Sequence, residues 1–151
     1  MINIDTAKQE DLGKIVALCL KRGEEFNFEM FPQPDIDVIA RNVVKNFNKA
    51  PCFVLKSNNE IIGFLGLTIS DFFWSDELYL SDYMAYVLPM YRDIDIVEKL
   101  YKAAQDYADL QGMPLHLFYI AVDRQAARRR LMRRFNFKET GFLLSYKGED
   151  L

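Results

Sequence analysis

Hydrophobic residues recur along much of the chain at intervals of three or four positions, a spacing that predicts amphipathic helices. The clearest stretch carries apolar residues from Val97 to Ala108 and is followed by Gly112, a residue type that commonly ends helices. Thr6 is expected to cap the first helix and Asp35 the second. The predicted helices cover residues 7–22, 35–49, 93–111 and 123–135.

Elsewhere the hydrophobic residues alternate with polar ones or form short runs, which predicts strands. The predicted strands cover residues 2–5, 52–56, 61–70, 78–88, 115–120 and 137–146. A tight turn is expected at 57–60, and a loop from Asp71 to Glu77. The strand–helix–strand crossover at 78–120 indicates an α/β fold: a mixed sheet of roughly six or seven strands, with about four helices distributed over both faces.

Composition restricts the classes of function. The chain has 151 residues, 50% of them hydrophobic, which suits a single domain over residues 1–151 with one core. The net charge of -3 argues against nucleic-acid binding through bulk charge. No apolar run approaches the roughly 20 residues of a membrane helix, and residues 1–5 lack signal-peptide features, so a cytoplasmic protein without a membrane partner is expected. Cys19, Cys52 and His116 show no metal-ligand spacing, and the cysteines are expected to be buried.

Two segments of the second half suggest a family. Residues 86–92 read Tyr86-Val87-Leu88-Pro89-Met90-Tyr91-Arg92, and residues 131–137 read Leu131-Met132-Arg133-Arg134-Phe135-Asn136-Phe137. With the element order, these segments resemble the GNAT superfamily of N-acetyltransferases, in which valine, proline, tyrosine and arginine precede the acetyl-CoA loop. Within that superfamily the chain looks most similar to bacteriophage-encoded members, on the residues Phe72-Phe73, Ser81-Asp82, Val87-Leu88-Pro89 and Tyr146-Lys147.

The resemblance implies an acetyl-CoA site. The backbone N–H groups of Val87 and Leu88 would polarise the thioester carbonyl. The N-terminus of the helix that starts near Asp93 would hold the pyrophosphate, because its first N–H groups lack partners. The implied activity is acetyl transfer from acetyl-CoA to an amine of a small-molecule or protein acceptor. The implied cofactor-binding residues are Val87, Leu88, Arg92, Asp93, Ile94, Asp95, Ile96 and Val97.

The loop departs from the family pattern at positions that matter for phosphate binding. Asp95 and Val97 stand where the family has glycine or alanine, and Asp93 can bond the N–H groups that the pyrophosphate needs. A like charge about 4 Å from a phosphate costs roughly 1–4 kcal/mol. Acetyl-CoA binding is therefore expected to be weak or absent, and the Asp95→Gly substitution should strengthen it. Met132 replaces the tyrosine that protonates the leaving thiolate in the family.

These departures leave a second interpretation open. The protein would then be a catalytically inactive GNAT-fold binding or structural component, for example of a phage particle or of a host interaction. If it is an enzyme, the candidate general bases are Asp82 and Glu77, with His116 a weaker third. A hydrogen-bonded structural role for Asp82 is the competing interpretation. A bulge in this strand would change the face to which Asp82 and its neighbours belong.

Charge and aromatic content mark two candidate surfaces. Arg124 and five more arginines in the segment Arg128–Arg134 form a basic helix, which could pair with nearby acids, hold CoA phosphates, or bind an acidic partner or a second subunit of a homo-oligomer. Phe72, Phe73 and Trp74 follow one another in the loop 71–77, so at least one is expected to be exposed. The loops at 23–34 and 71–77 are the expected acceptor loops.

Overall fold

The computed structural model describes residues 1–25, 32–118 and 125–139. The strands are β1 Ile2–Thr6, β2 Cys52–Ser57, β3 Glu60–Phe72, β4 Ser75–Val87 and β5 Leu115–His116. The helices are α1 Leu12–Glu25, α2 Ile36–Phe47, α3 Ile94–Gln111 and α4 Gln125–Arg134. No helix in these ranges is both long enough and apolar enough to span a membrane.

The five strands of the described residues form one mixed sheet in the order β1-β2-β3-β4-β5. The first four run antiparallel to their neighbours, whereas β4 and β5 are parallel. The predicted α/β class and the crossover through α3 are thus confirmed. The predicted count of six or seven strands is higher than observed, since residues 137–139 are not in a strand and 140–146 lie outside the described residues.

Alternating side chains of the sheet pack into two separate cores, one on each face. Phe53 and Leu55 of β2 lie in the core that α3 covers, together with Leu100. Cys52 and Val54 of the same strand point to the other face, into the core that α1 and α2 cover. Helices on both faces of the sheet follow from this alternation, as predicted. The two buried cysteines, Cys19 and Cys52, both belong to the second core, as expected.

The long hairpin of β3 and β4 corrects the predicted loop at 71–77. The strands stay paired to Phe72 and Ser75, so that Phe73 and Trp74 form the turn. A bulge interrupts the pairing lower in the hairpin, because Gly66 opposes Met84 whereas Leu67 opposes Asp82. The skipped residue, Tyr83, packs against the α1–α2 core, so strict alternation along β4 does not hold.

Most of the predicted helix starts and ends are confirmed. Asp35 caps α2 by accepting bonds from the N–H groups of Asp37 and Val38 at 2.9 and 3.3 Å. Gly112 ends α3 with φ 65°. The predicted cap of the first helix is wrong: Thr6 belongs to β1, and a 3₁₀ turn at Gln9–Asp11 precedes α1.

Candidate active site

The parallel strands β4 and β5 pair over a short distance and then lose their backbone ladder. Leu80 and Ser81 of β4 oppose Leu115 and His116 of β5. Beyond this point the Asp82 carboxylate accepts the N–H of Phe118 at 2.7 Å. Asp82, which is only 4% exposed, thus bonds the chain two residues past the end of β5, where the backbone ladder has ended. The split that opens between parallel strands is the expected ligand position in such sheets.

At the end of β4 the N–H groups of Val87 and Leu88, both predicted to polarise the thioester carbonyl, point in different directions. The Leu88 N–H donates to the carbonyl of Ile62 at 2.9 Å, so the expectation that Leu88 polarises a thioester is corrected. In an antiparallel ladder the N–H and C=O of alternate residues point to opposite sides. Because Leu88 points to β3, the peptide groups of Val87 point to the edge of β4 that faces away from β3.

Val87 is held in place by a close approach of β3. Gly63 lies opposite Val87 in the ladder. A Cβ at Gly63 would lie 2.9 Å from Cγ2 of Val87 and 3.0 Å from the carbonyl oxygen of Tyr86. Only glycine permits this backbone separation without displacing the end of β4.

Arg92 connects this strand end to α1. Its Nε donates to the carbonyl oxygen of Val87 at 2.8 Å, and its two terminal nitrogens donate to the Glu25 carboxylate at 2.7 and 2.8 Å. The guanidinium also lies over the Tyr86 ring, 5.2 Å from the centroid. All three nitrogens of Arg92 are therefore engaged, and the side chain fixes the strand end instead of pointing to a phosphate.

The environment of this cluster sets the charge of its members. The hydrogen bonds from Arg92 lower the pKa of Glu25, which stays a carboxylate at neutral pH. Burial raises the pKa of the Tyr86 phenol, and the Glu25 carboxylate adds to that effect. A neutral phenol, a carboxylate and a guanidinium therefore meet beside Val87.

The start of α3 is capped by its own side chains. The Asp93 carboxylate accepts the N–H of Asp95 at 2.8 Å, and the Asp93 carbonyl accepts those of Ile96 and Val97 at 3.1 and 3.0 Å. The predicted N-cap is thus confirmed. The N–H groups of Asp95, Ile96 and Val97, which were expected to face pyrophosphate, therefore bond to Asp93 instead. Among these first helix positions, only the N–H of Ile94 has no such bond.

Two arginines of α4 neutralise the acidic residues of α3. Asp95 lies 3.4 Å from Arg130 and 3.7 Å from Arg134. Arg134 also bonds Glu98 at 2.7 Å. The Glu98 side chain is only 10% exposed, whereas that of Asp95 is 71% exposed. The predicted pairing of the basic helix with nearby acids is confirmed for Arg130 and Arg134.

This arrangement of strand, turn and helix has a counterpart among known families. The family model of the acetyltransferase (GNAT) family matches residues 12–137. The chain belongs to the GNAT family. No curated protein sequence matches it.

Solved structures share the GNAT fold at low sequence identity. A possible acetyltransferase from Clostridium difficile 630 is 18% identical, with 100% of this chain and 99% of that chain covered and a TM-score of 0.69. An aminoglycoside acetyltransferase from an uncultured soil metagenomic sample is 20% identical, with 98% and 97% covered and a TM-score of 0.67. AAC(6')-Iy in complex with the bisubstrate analogue CoA-S-monomethyl-acetylneamine is 16% identical, with 99% of both chains covered and a TM-score of 0.68. These likenesses show the fold alone.

The other predicted GNAT site residues are dispersed. Glu77 is exposed near the turn of the β3–β4 hairpin, ten residues before Val87 and thus roughly 33 Å away along the strand. His116 packs edge-on against Phe72 and Tyr79, with ring centroids 5.9 and 5.1 Å away. Its Nε2 is buried and has no hydrogen-bond partner among the described residues. The structure therefore separates Glu77 from the strand end and places Asp82 nearer, about 16 Å along the strand.

Sequence reasoning missed the residues that support Val87. Glu25 lies at the end of α1, far from the motif in sequence, and only the tertiary fold brings it to Arg92. Gly63 carried a usable signal, since a glycine within a hydrophobic strand often marks close approach of another backbone. Arg124 and residues 26–31 of the predicted acceptor loop lie outside the described residues, as does the side chain of Arg128.

Proposed function

We propose that the protein is an N-acetyltransferase that moves an acetyl group from acetyl-CoA to an amine of an acceptor. The observation that carries the proposal is the position of Val87, whose peptide groups point away from β3 at the end of β4, just before the turn into α3. The acceptor class is proposed to include small polyamines, because solved structures of similar fold include aminoglycoside acetyltransferases in complex with sisomicin and with an acetylneamine analogue.

The described residues fit the two ends of acetyl-CoA unequally. At the thioester end, the Val87 N–H points away from β3 and Arg92 keeps the following peptide in place. At the phosphate end, the caps of α3 leave few free amides, so the cations of Arg130 and Arg134 are the proposed phosphate ligands. Asp95 forms ion pairs with both arginines and would have to move aside before phosphate could bind them. This is the physical reason to expect weak binding of acetyl-CoA.

Asp82 is the proposed proton acceptor. Acetyl-CoA, when bound, supplies a thioester carbonyl that an amine can attack. The Val87 N–H would then stabilise the negative charge that develops on the carbonyl oxygen. Asp82 is the proposed final acceptor of the amine proton, which would reach it through a chain of waters, because Asp82 lies about 16 Å along β4 from Val87 and cannot contact the reacting amine. Met132 carries no ionisable proton, so the proposed source of the thiolate's proton is solvent.

The proposal is tested by following thiol release from acetyl-CoA with sisomicin, a linear polyamine and a lysine-containing peptide as acceptors. We expect at least one amine to accelerate thiol release and to gain an acetyl group by mass spectrometry. Thiol release without an acetylated amine would indicate hydrolysis and contradict the proposal. If the protein shows no turnover and does not bind acetyl-CoA, the alternative is favoured: a catalytically inactive GNAT-fold binding protein.

A further inference from the structure

The turn of the β3–β4 hairpin carries an exposed aromatic pair. Phe73 is 101% exposed and Trp74 81% exposed, although hairpin turns of two residues ordinarily use asparagine or glycine. Phe72 stacks under Trp74 with ring centroids 5.5 Å apart and contacts Tyr79 at 4.6 Å. The exposed rings are thus backed by further rings of the same hairpin. Residues 71–78 are called the aromatic tip below.

The aromatic tip is also acidic. Asp71, Asp76 and Glu77 are all exposed around the two rings. No lysine or arginine occurs anywhere between Lys56 and Arg92, so nothing on the hairpin offsets these charges. An exposed aromatic surface with an acidic rim suits a cationic partner, since arginine both pairs with carboxylates and stacks on aromatic rings.

A matching basic surface lies on α4. Arg129 and Arg133 are exposed and form no ion pair among the described residues, in contrast to Arg130 and Arg134, which face α3. They border an open groove of about 480 Å³ whose apolar lining residues are Met132 and Phe137. The groove is lined by Arg129, Met132, Arg133, Asn136 and Phe137. These five residues are called the outer face of α4.

The two surfaces cannot meet within one chain. The aromatic tip lies at the start of β4, whose 13 residues extend roughly 40 Å to Val87. The outer face of α4 belongs to a helix that packs beside the first turn of α3, just past that other end. Their opposite charges suit partner surfaces of opposite sign.

We propose that the aromatic tip of one chain binds the outer face of α4 of a second copy. Trp74 or Phe73 would enter the groove between Met132 and Phe137, with the acidic rim against Arg129 and Arg133. A two-fold arrangement makes this contact twice, since in such dimers each surface meets its complement reciprocally. The proposal does not need the acetyltransferase function, but the two share Met132, which stands at the family's tyrosine position and also lines this groove.

Trp74 provides a direct test, because it is the single tryptophan of the chain. Sedimentation velocity on the full chain should show a concentration-dependent dimer, accompanied by a blue shift of Trp74 emission. Both signals should weaken at high ionic strength. A wild type that stays monomeric with constant Trp74 emission would overturn the proposal. So would a monomer whose Trp74 responds to an arginine-rich peptide, which would assign the tip to a foreign basic partner.

Two variants locate the contact. F73N/W74G replaces the tip with residues that ordinarily form such turns and so preserves the hairpin. R129E/R133E reverses the charge of the outer face. Each variant alone should associate about tenfold more weakly or not at all, with an unchanged circular dichroism spectrum.

Mixing the two variants completes the test. The R129E/R133E chain retains a normal tip, and the F73N/W74G chain retains a normal outer face but no tryptophan. The mixture should therefore regain one contact, and a blue shift of Trp74 can come only from insertion into the other chain. Undiminished association of either variant alone, or no shift in the mixture, would contradict the proposal.

Discussion

Asp95 on α3 and Arg130 on α4 form an ion pair, 3.4 Å apart, at the helix start where the GNAT resemblance expects pyrophosphate. Both side chains are more than half exposed, and such pairs contribute only about 0–1 kcal/mol. A pyrophosphate carries more charge than a single carboxylate, so it can replace Asp95 as the partner of Arg130. The departure from the family glycine is thus partly offset by a basic residue on the next helix.

The Asp95→Ala substitution should therefore raise the affinity for acetyl-CoA by about five- to tenfold. It removes the competing carboxylate while preserving helix propensity at this position. Calorimetric titration of acetyl-CoA measures the change. Asp109→Ala, at the other end of α3, is the matched control and should have no effect. Adding Arg130→Gln should cancel the gain, and a gain that persists without Arg130 would show that the phosphates bind elsewhere.

The Asp82→Asn substitution separates the structural role of this residue from the proposed catalytic one. An asparagine oxygen can still accept the Phe118 N–H, so the thermal midpoint should stay close to that of wild type. Loss of the carboxylate should lower kcat by about 10²-fold or more if Asp82 accepts the proton. Asp82→Ala should lower both stability and kcat. Full activity of the asparagine variant would assign the proton transfer to another group.

Glu25 should make stability depend on pH in the acidic range. Arg92 lowers the pKa of Glu25 from its ordinary value of 4.5, so the folded state releases this proton more readily than the unfolded chain. The stabilisation is therefore present above the unfolded pKa and is lost as pH falls through the lower folded pKa. Urea unfolding of wild type and Glu25→Gln should differ at neutral pH and converge in acid. Glu24→Gln is the control; an equal effect from it would refute the assignment.

A side chain at Gly66 should force the Tyr83 ring to move. A Cβ there would lie 2.1 Å from the ring of Tyr83, which the bulge in β4 turns onto this face. Gly66→Ala is expected to lower the free energy of unfolding by about 1–3 kcal/mol, the usual cost of overpacking. Gly13→Ala is the matched control, because nothing lies within 4 Å of its Cβ position and alanine favours the helix. Equal stability of the two variants, measured in urea, would disprove the close packing of Tyr83.

The sequence predicted the elements that depend on local patterns. The period of α3 and its stop at Gly112 and the cap at Asp35 are all observed. These features depend on residues that are close in sequence, so they can be predicted from the sequence alone. The prediction of a loop at 71–77 was wrong because two aromatic residues occupy a hairpin turn in which glycine or asparagine is usual.

The candidate site was less predictable because its partners are distant in sequence. Arg92 pairs with Glu25, which is 67 positions away, and Asp95 pairs with Arg130, which is 35 positions away. Charge patterns along a helix show that an arginine is present but not which acid it meets. The engaged amide of Leu88 likewise follows from the register with β3, which the alternation of residues alone does not give.

Calorimetric titration of acetyl-CoA into the purified wild-type protein tests the central claim most directly. The account predicts saturable binding to one site, weak in the wild type and tighter in Asp95→Ala. Arg129→Gln should leave it unchanged, because Arg129 does not face the start of α3, whereas Arg130→Gln should weaken it. No heat of binding in either wild type or Asp95→Ala, at concentrations that saturate GNAT enzymes, would contradict the proposed acetyl-CoA site.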